Sequence, residues 1–173
     1  GGKVFIGNSC ADMGLNRGHV DAVDAKTGEH LWRFYTVPGD PKEPQDSELY
    51  EMALKTWGEG WYESTRGCGS VWDAMVYDAE LDQLIIGTGA PAPADPTKRG
   101  KDVGDELFTS AVVALDAQTG AYQWHFTQVP ANACNYEPAV GLMLASLPIN
   151  GVDKRVVLSV PKNGFVYVLD AET

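Results

Sequence analysis

One pattern occurs twice in full and constrains this chain more than any other feature. Val20-Asp21-Ala22-Val23-Asp24-Ala25-Lys26-Thr27-Gly28-Glu29-His30-Leu31-Trp32 returns as Val112-Val113-Ala114-Leu115-Asp116-Ala117-Gln118-Thr119-Gly120-Ala121-Tyr122-Gln123-Trp124. A third copy begins at Val166 and reaches Asp170-Ala171-Glu172-Thr173. Repetition at this scale marks an array of similar supersecondary units. Each copy reads as a hairpin: alternating apolar residues, a tight Asp-Ala-x-Thr-Gly turn, then a strand carrying Trp. The Asp can accept hydrogen bonds from the turn amides, and the Gly supplies the positive φ the turn requires.

Between the first two copies, Trp72–Asp78 and Gln83–Gly89 form another strand pair joined by a polar turn at Ala79–Asp82. With residues 110–127 they give four consecutive antiparallel strands, the blade of a propeller. The expected fold is therefore all-β: a single partial β-propeller over 1–173 with blades at about 1–40, 70–130 and 138–173. The first lacks its opening strand and the last its closing one. An open β-sandwich uses similar strands, but repeat spacing favours the propeller. Unclosed edges predict self-association or pairing with further blades.

Composition excludes some partners. A net charge of −11 argues against nucleic acid, whose phosphates require clustered Lys and Arg. Lys98-Arg99 and Lys154-Arg155 read as solvated loop tips. No apolar run is long enough to cross a membrane as a helix, and the N-terminus carries no signal-peptide pattern, reading instead as a strand already inside the fold. Cys10, Cys68 and Cys134 are odd in number and widely spaced, so they form neither a disulfide framework nor a CxxC zinc site.

The loops resemble those of the pyrroloquinoline-quinone (PQQ)-dependent alcohol dehydrogenases. Val160-Pro161-Lys162-Asn163-Gly164-Phe165-Val166-Tyr167-Val168-Leu169-Asp170 is similar to that family's Pro-Lys-Asn-Gly-Phe motif, and Gly67-Cys68-Gly69-Ser70-Val71-Trp72-Asp73 to its Gly-Gly-Thr-Val-Trp-Asp segment. The resemblance implies that Trp72 is the floor on which the planar quinone rests and that Ser70 bonds a cofactor carboxylate. It further implies that Lys162 directs its ammonium at the quinone oxygens, with Ala11 beside the cofactor. In Gly7-Asn8-Ser9-Cys10-Ala11-Asp12, Asp12 stands where the family places a metal-binding Glu.

Two positions depart from the family. In Ile86-Gly87-Thr88-Gly89-Ala90 the family's metal-binding Asn is Ala90, whose methyl cannot ligate. In Cys134-Asn135-Tyr136-Glu137 the family's general base is replaced by Asn135, which accepts no proton near neutral pH. Glu137 is the local carboxylate that can stand in as base. Asp12, Asn135 and Glu137 then make the expected oxygen set for calcium or a lanthanide.

Trp57 and Trp61 either line a substrate funnel or pack on a neighbouring blade, the commoner use. If the loops converge as in the family, the three thiols can hold a soft metal or form one disulfide, although small-residue substitution in a drifted site is the favoured account. The implied activity is oxidation of an alcohol by hydride transfer to a metal-bound quinone, with electrons leaving to a cytochrome-type acceptor, in the periplasm. These residues alone are expected to be inactive. The alternative is a catalytically degenerate propeller that acts as a binding or interaction module.

Overall fold

The computed structural model describes residues 2–10, 15–102 and 104–173. Ten strands form three antiparallel sheets: β1 (Lys3–Gly7), β2 (His19–Asp24) and β3 (His30–Tyr35); β4 (Met75–Asp78), β5 (Gln83–Gly87), β6 (Ala111–Asp116) and β7 (Tyr122–Thr127); β8 (Leu142–Ile149), β9 (Val152–Ser159) and β10 (Tyr167–Asp170). The strand order is sequential in every sheet, as in propeller blades. The first expected strand of the middle sheet starts later than its sequence suggests. Trp72-Asp73-Ala74 is irregular, and Ala74 takes a left-handed φ of 58° before β4 begins.

The repeated turns form as their chemistry requires. Asp24 Oδ1 accepts from the Lys26 and Thr27 amides at 2.8 Å each, and Asp116 Oδ1 from Gln118 and Thr119 at 2.9 and 2.8 Å. Gly28 and Gly120 hold φ of 73° and 74°. The register shifts at Ala22/Val23 and again at Ala114/Leu115, the equivalent place in the two copies.

Period-2 alternation gives the middle sheet two buried faces. Leu84, Ile86, Val113 and Leu115 pack against Val20, Ala22, Trp32 and Phe34 of the first sheet. Ile85, Val112, Ala114 and Trp124 pack against Val157 and Ala171 of the third. The repeated Trp links each sheet to the next turn: Trp32 Nε1 donates to the Ala117 carbonyl at 3.4 Å and Trp124 Nε1 to the Ala171 carbonyl at 3.0 Å. A Cβ on Gly120 would lie 2.6 Å from the Trp32 ring, so that turn needs glycine for space as well as for φ. Apolar side chains on the two outer sheets remain exposed, among them Val4, Ile6, Met143 and Val168.

The connector between the first two sheets contains two short helices, α1 (Glu48–Leu54) and α2 (Trp61–Thr65). Trp57 and Trp61 are buried there with ring centroids 4.2 Å apart, and Trp57 Nε1 donates to the Leu107 carbonyl at 2.8 Å. They pack on each other and, with Pro41, Lys42 and Glu63, line a pocket beside this connector that shares no wall residue with the cavity beside Trp72.

The basic pairs are solvated tips only in part: Lys98 and Lys154 are exposed, but the arginine beside each is engaged within the fold. Arg99 is fully buried and forms a two-pronged ion pair with Glu106 at 2.6 and 2.8 Å. Lys154 and Arg155 lie within β9, and Arg155 crosses from the third sheet to the buried Asp78 of the second at 2.8 Å. Sequence polarity misled here because an ion pair satisfied internally looks, residue by residue, like a charged surface.

Candidate cofactor site

A cavity of ≈ 290 Å³ opens where loops from the first two sheets meet the segment leading into the third. Its walls include Ser9, Cys68, Ser70, Trp72, Asn135 and Glu137. The Trp72 side is set by an unusual turn: Gly67, Cys68 and Gly69 all take left-handed φ, at 85°, 65° and 62°. That turn is tied down by Gly69 N donating to the Ala90 carbonyl at 3.3 Å and by Gly89 N donating to the Ser70 carbonyl at 2.7 Å. A Cβ on Gly89 would approach the Ser70 hydroxyl to 3.0 Å, so the backbone passes close against a buried Ser70. Four of the five tryptophans are 8% exposed or less, whereas Trp72 is 52% exposed. A large indole left open on a cavity wall is a surface for a flat ligand.

On the facing side, Asn132 organises the loop after β7. Its Oδ1 accepts from the Cys134 amide at 2.9 Å and the Tyr136 amide at 3.4 Å, and its Nδ2 donates to Ser110 Oγ at 2.9 Å. This presents Asn135, exposed with φ of 51°, and Glu137, buried, to the same cavity. Lys162 Nζ lies 3.5 Å from Glu137 Oε1. The turn that carries Lys162 is fixed by Asn163, whose Oδ1 accepts from the Phe165 amide at 3.2 Å and whose Nδ2 donates to the Tyr167 hydroxyl at 2.8 Å. The other carboxylate oxygen of Glu137, Oε2, is buried without a hydrogen-bond partner. A buried, unpartnered anionic oxygen is costly unless a ligand completes it.

The geometry fits the expected groups in part. Trp72, Ser70 and Glu137 line one cavity, Lys162 joins it through its contact with Glu137, and Glu137 with Asn135 offers the oxygen donors a hard cation prefers. Ala90 also lines the cavity, but its carbonyl already accepts from Gly69. Among the described residues no group of three His, Cys, Asp or Glu side chains converges. Ala11 and Asp12 lie outside the described residues.

The whole chain, residues 1–173, matches the family described as PQQ: glucose/ethanol/alcohol dehydrogenase, beta-propeller domain. The chain belongs to the PQQ dehydrogenase propeller family. It is 54% identical over 173 residues to lupanine 17-hydroxylase [cytochrome c] of Pseudomonas sp, covering all of this chain and 25% of that protein. The quinohemoprotein alcohol dehydrogenase ADHIIG of Pseudomonas putida superposes with a TM-score of 0.94 at 47% identity, over 99% of this chain and 25% of that one. A europium-containing methanol dehydrogenase superposes with a TM-score of 0.84 at 27% identity, over 100% of this chain and 31% of that one. The chain thus spans about a quarter of the length of the curated relatives it matches.

Against the PQQ dehydrogenase pattern, the thiols hold a surprise. Cys10 and Cys68 form a disulfide across 58 residues of sequence, while Cys134 is free and exposed. Of the alternatives for the three thiols, the single disulfide is the one that forms; the favoured account of mere small-residue substitution fails for Cys10 and Cys68, and no soft-metal thiol cluster is left. Sequence reasoning also passed over Asn132, although Pro130-Ala131-Asn132 carries the signature of a side chain that bonds backbone two residues on.

Proposed function

We propose that these residues form one segment of a PQQ-dependent alcohol dehydrogenase, with the cavity between Trp72 and Glu137 as part of its quinone and metal site. The supporting observation is the presence in one cavity wall of an open indole and a buried carboxylate with an unpartnered oxygen, the carboxylate being paired to the Lys162 ammonium. When bound, the quinone supplies the hydride-accepting oxidant and the cation a Lewis acid. Trp72 would bind the planar face, the Ser70 hydroxyl would hold a carboxylate edge, and Lys162 would stabilise negative charge as it develops. Glu137 and Asn135 would hold calcium or a lanthanide together with Asp12. The blade boundaries at about 1–40, 70–130 and 138–173 belong to this reading, as do further blades seated on the exposed outer faces.

Alcohol oxidation also requires a group to take the hydroxyl proton. Asn135 does not serve, so that role falls to Glu137 through its Lys162-paired carboxylate. Electrons would leave to a cytochrome-type acceptor, in keeping with relatives named quinohemoproteins. The disulfide supports an oxidising compartment such as the periplasm.

Ala90 and Asn135 favour a second reading, a catalytically degenerate propeller that keeps the fold and the quinone. Reconstituting the full-length protein with PQQ and either calcium or lanthanum separates the two. Bound quinone with alcohol-dependent reduction supports the enzyme; bound quinone with no alcohol oxidised under either metal supports the degenerate module. Ala90→Asn with Asn135→Asp that raises metal-dependent turnover supports the site assignment. Absence of quinone binding overturns both. A polypeptide of these 173 residues alone is expected to show no turnover.

A further inference from the structure

We propose that Cys10 and Cys68 are positioning residues: their disulfide clamps the loop after β1 to the turn that carries Trp72, and so fixes the rim of the cofactor cavity. This rests on the quinone-site reading above.

The backbone around Cys68 gives the first argument. Its φ of 65° lies in the left-handed region between two glycines that share it. A residue with a Cβ is disfavoured there, and glycine is the inexpensive choice. A side chain held against that preference must be offset by what it makes, and Cys68 makes the bond to Cys10.

The second argument is location. Three loops meet at Cys68. Its backbone forms isolated bridges to Arg17 and to Pro91, and its carbonyl accepts from Gly18 N at 2.7 Å. These contacts fix the returning limb of the β1–β2 loop and the 90–92 segment. The outgoing limb, Asn8–Cys10, is anchored near its start, where Asn8 Oδ1 accepts from the His19 amide at 2.8 Å. Its far end is fastened to the turn by the disulfide, with Cys10 3% exposed. Ser9 beside Cys10 and Ser70 beyond Cys68 both line the cavity, so movement of either strand of the clamp changes the cavity wall. Asp12, the carboxylate the sequence offers for the metal, follows two residues after Cys10.

The test compares full-length wild type with Cys10→Ala, Cys68→Gly and the double variant, and with wild type reduced by a water-soluble phosphine. That reduction consumes one water, gives two thiols and oxidises the phosphine to its oxide. Glycine meets the φ at position 68 without cost, which keeps that variant foldable. Peptide mapping without reductant should show Cys10 joined to Cys68, and alkylation should mark Cys134 alone. Hydrogen exchange should then accelerate at least tenfold across residues 8–10 and 15–18 in every cleaved form, with β5 and β6 unchanged. The Kd for PQQ with calcium, read from quenching of tryptophan fluorescence well below the melt, should rise at least fivefold; Tm falls as well in every cleaved form, because the unfolded chain regains the freedom of a 58-residue loop.

Three alkylated cysteines in the native protein, or unchanged protection at 8–10 and 15–18, overturns the clamp. Faster exchange with unchanged PQQ affinity overturns its positioning role. If the wild type binds no PQQ at all, the quinone-site reading fails, and the clamp is judged on exchange alone.

Discussion

Lys162 Nζ sits 3.5 Å from Glu137 Oε1, on the carboxylate whose other oxygen, Oε2, is buried with no partner. In the proposed site the two oxygens would have separate tasks: Oε1 faces the half-exposed ammonium and Oε2 would take the cation. Glu137→Gln should keep most of the stability, because an ion pair with one exposed partner contributes at most about 1 kcal/mol. It should weaken calcium and lanthanum binding by the full-length protein at least tenfold, measured by calorimetry. Unchanged metal affinity would remove Glu137 from the ligand set.

Trp72→Ala separates binding from folding. The side chain is half open, so its removal takes little apolar surface out of the core. Loss of a stacking surface for a flat ligand should instead lower quinone affinity by roughly fivefold, in line with about 1 kcal/mol for an aromatic pair. Trp32→Ala should do the reverse, since Trp32 is buried against the Ala117 turn and is part of the sheet-to-sheet core. Quinone titration and thermal melting of the two variants in parallel check this double contrast. Equal loss of quinone affinity in both would place Trp72 outside the site.

The hairpins were legible because local chemistry dictates them: the Asp-x-x-Thr-Gly turn makes the bonds its residues predict, and the following Trp docks on the next copy. Trp72, Ser70, Asn135 and Glu137 were legible as a set because motif context brought them together, and they do share one cavity. Interactions between distant residues were not. Loop convergence left one disulfide open among the three thiols, but nothing local says that Cys68 and not Cys134 is the partner of Cys10, and Arg99 beside Lys98 looks like a charged tip until Glu106 folds back on it. The helices Glu48–Leu54 and Trp61–Thr65 are each too short to show a helical period.

The buried Arg99–Glu106 pair supports the cavity edge. Arg99 Nη1 also donates to the Pro93 and Ala94 carbonyls at 2.7 and 2.8 Å, and Ala94 lines the cavity. Removing one partner strands a buried charge, which costs about 3–5 kcal/mol. Glu106→Gln should therefore lower stability by that amount in denaturant titration, with quinone affinity falling as the 93–94 edge loosens. Replacing both residues together, Arg99→Met with Glu106→Leu, should recover much of the stability but not the affinity. A loss under 1 kcal/mol in Glu106→Gln would show that the pair holds nothing in place.

Asp78 ties the second sheet to the third, and its carboxyl gives that contact a pH dependence. Burial opposes its ionisation, but the Arg155 guanidinium and the Glu80 and Leu81 amides more than offset this and hold its pKa below the usual aspartate range. For an acid whose folded pKa is depressed, the stabilisation is complete above the unfolded pKa, about 3.9, and is lost as pH falls through the folded value. The contact between the sheets is thus at full strength at neutral pH and fails in acid. Asp78→Asn should lower Tm at pH 7 and flatten the fall in Tm between about pH 5 and 3 relative to wild type, the window just around and below that unfolded pKa. Protection of β8 and β9 from hydrogen exchange should fall before that of β5 and β6 as wild type is acidified. Identical acid slopes in variant and wild type would mean that the Arg155–Asp78 bridge carries no share of the coupling between the two sheets.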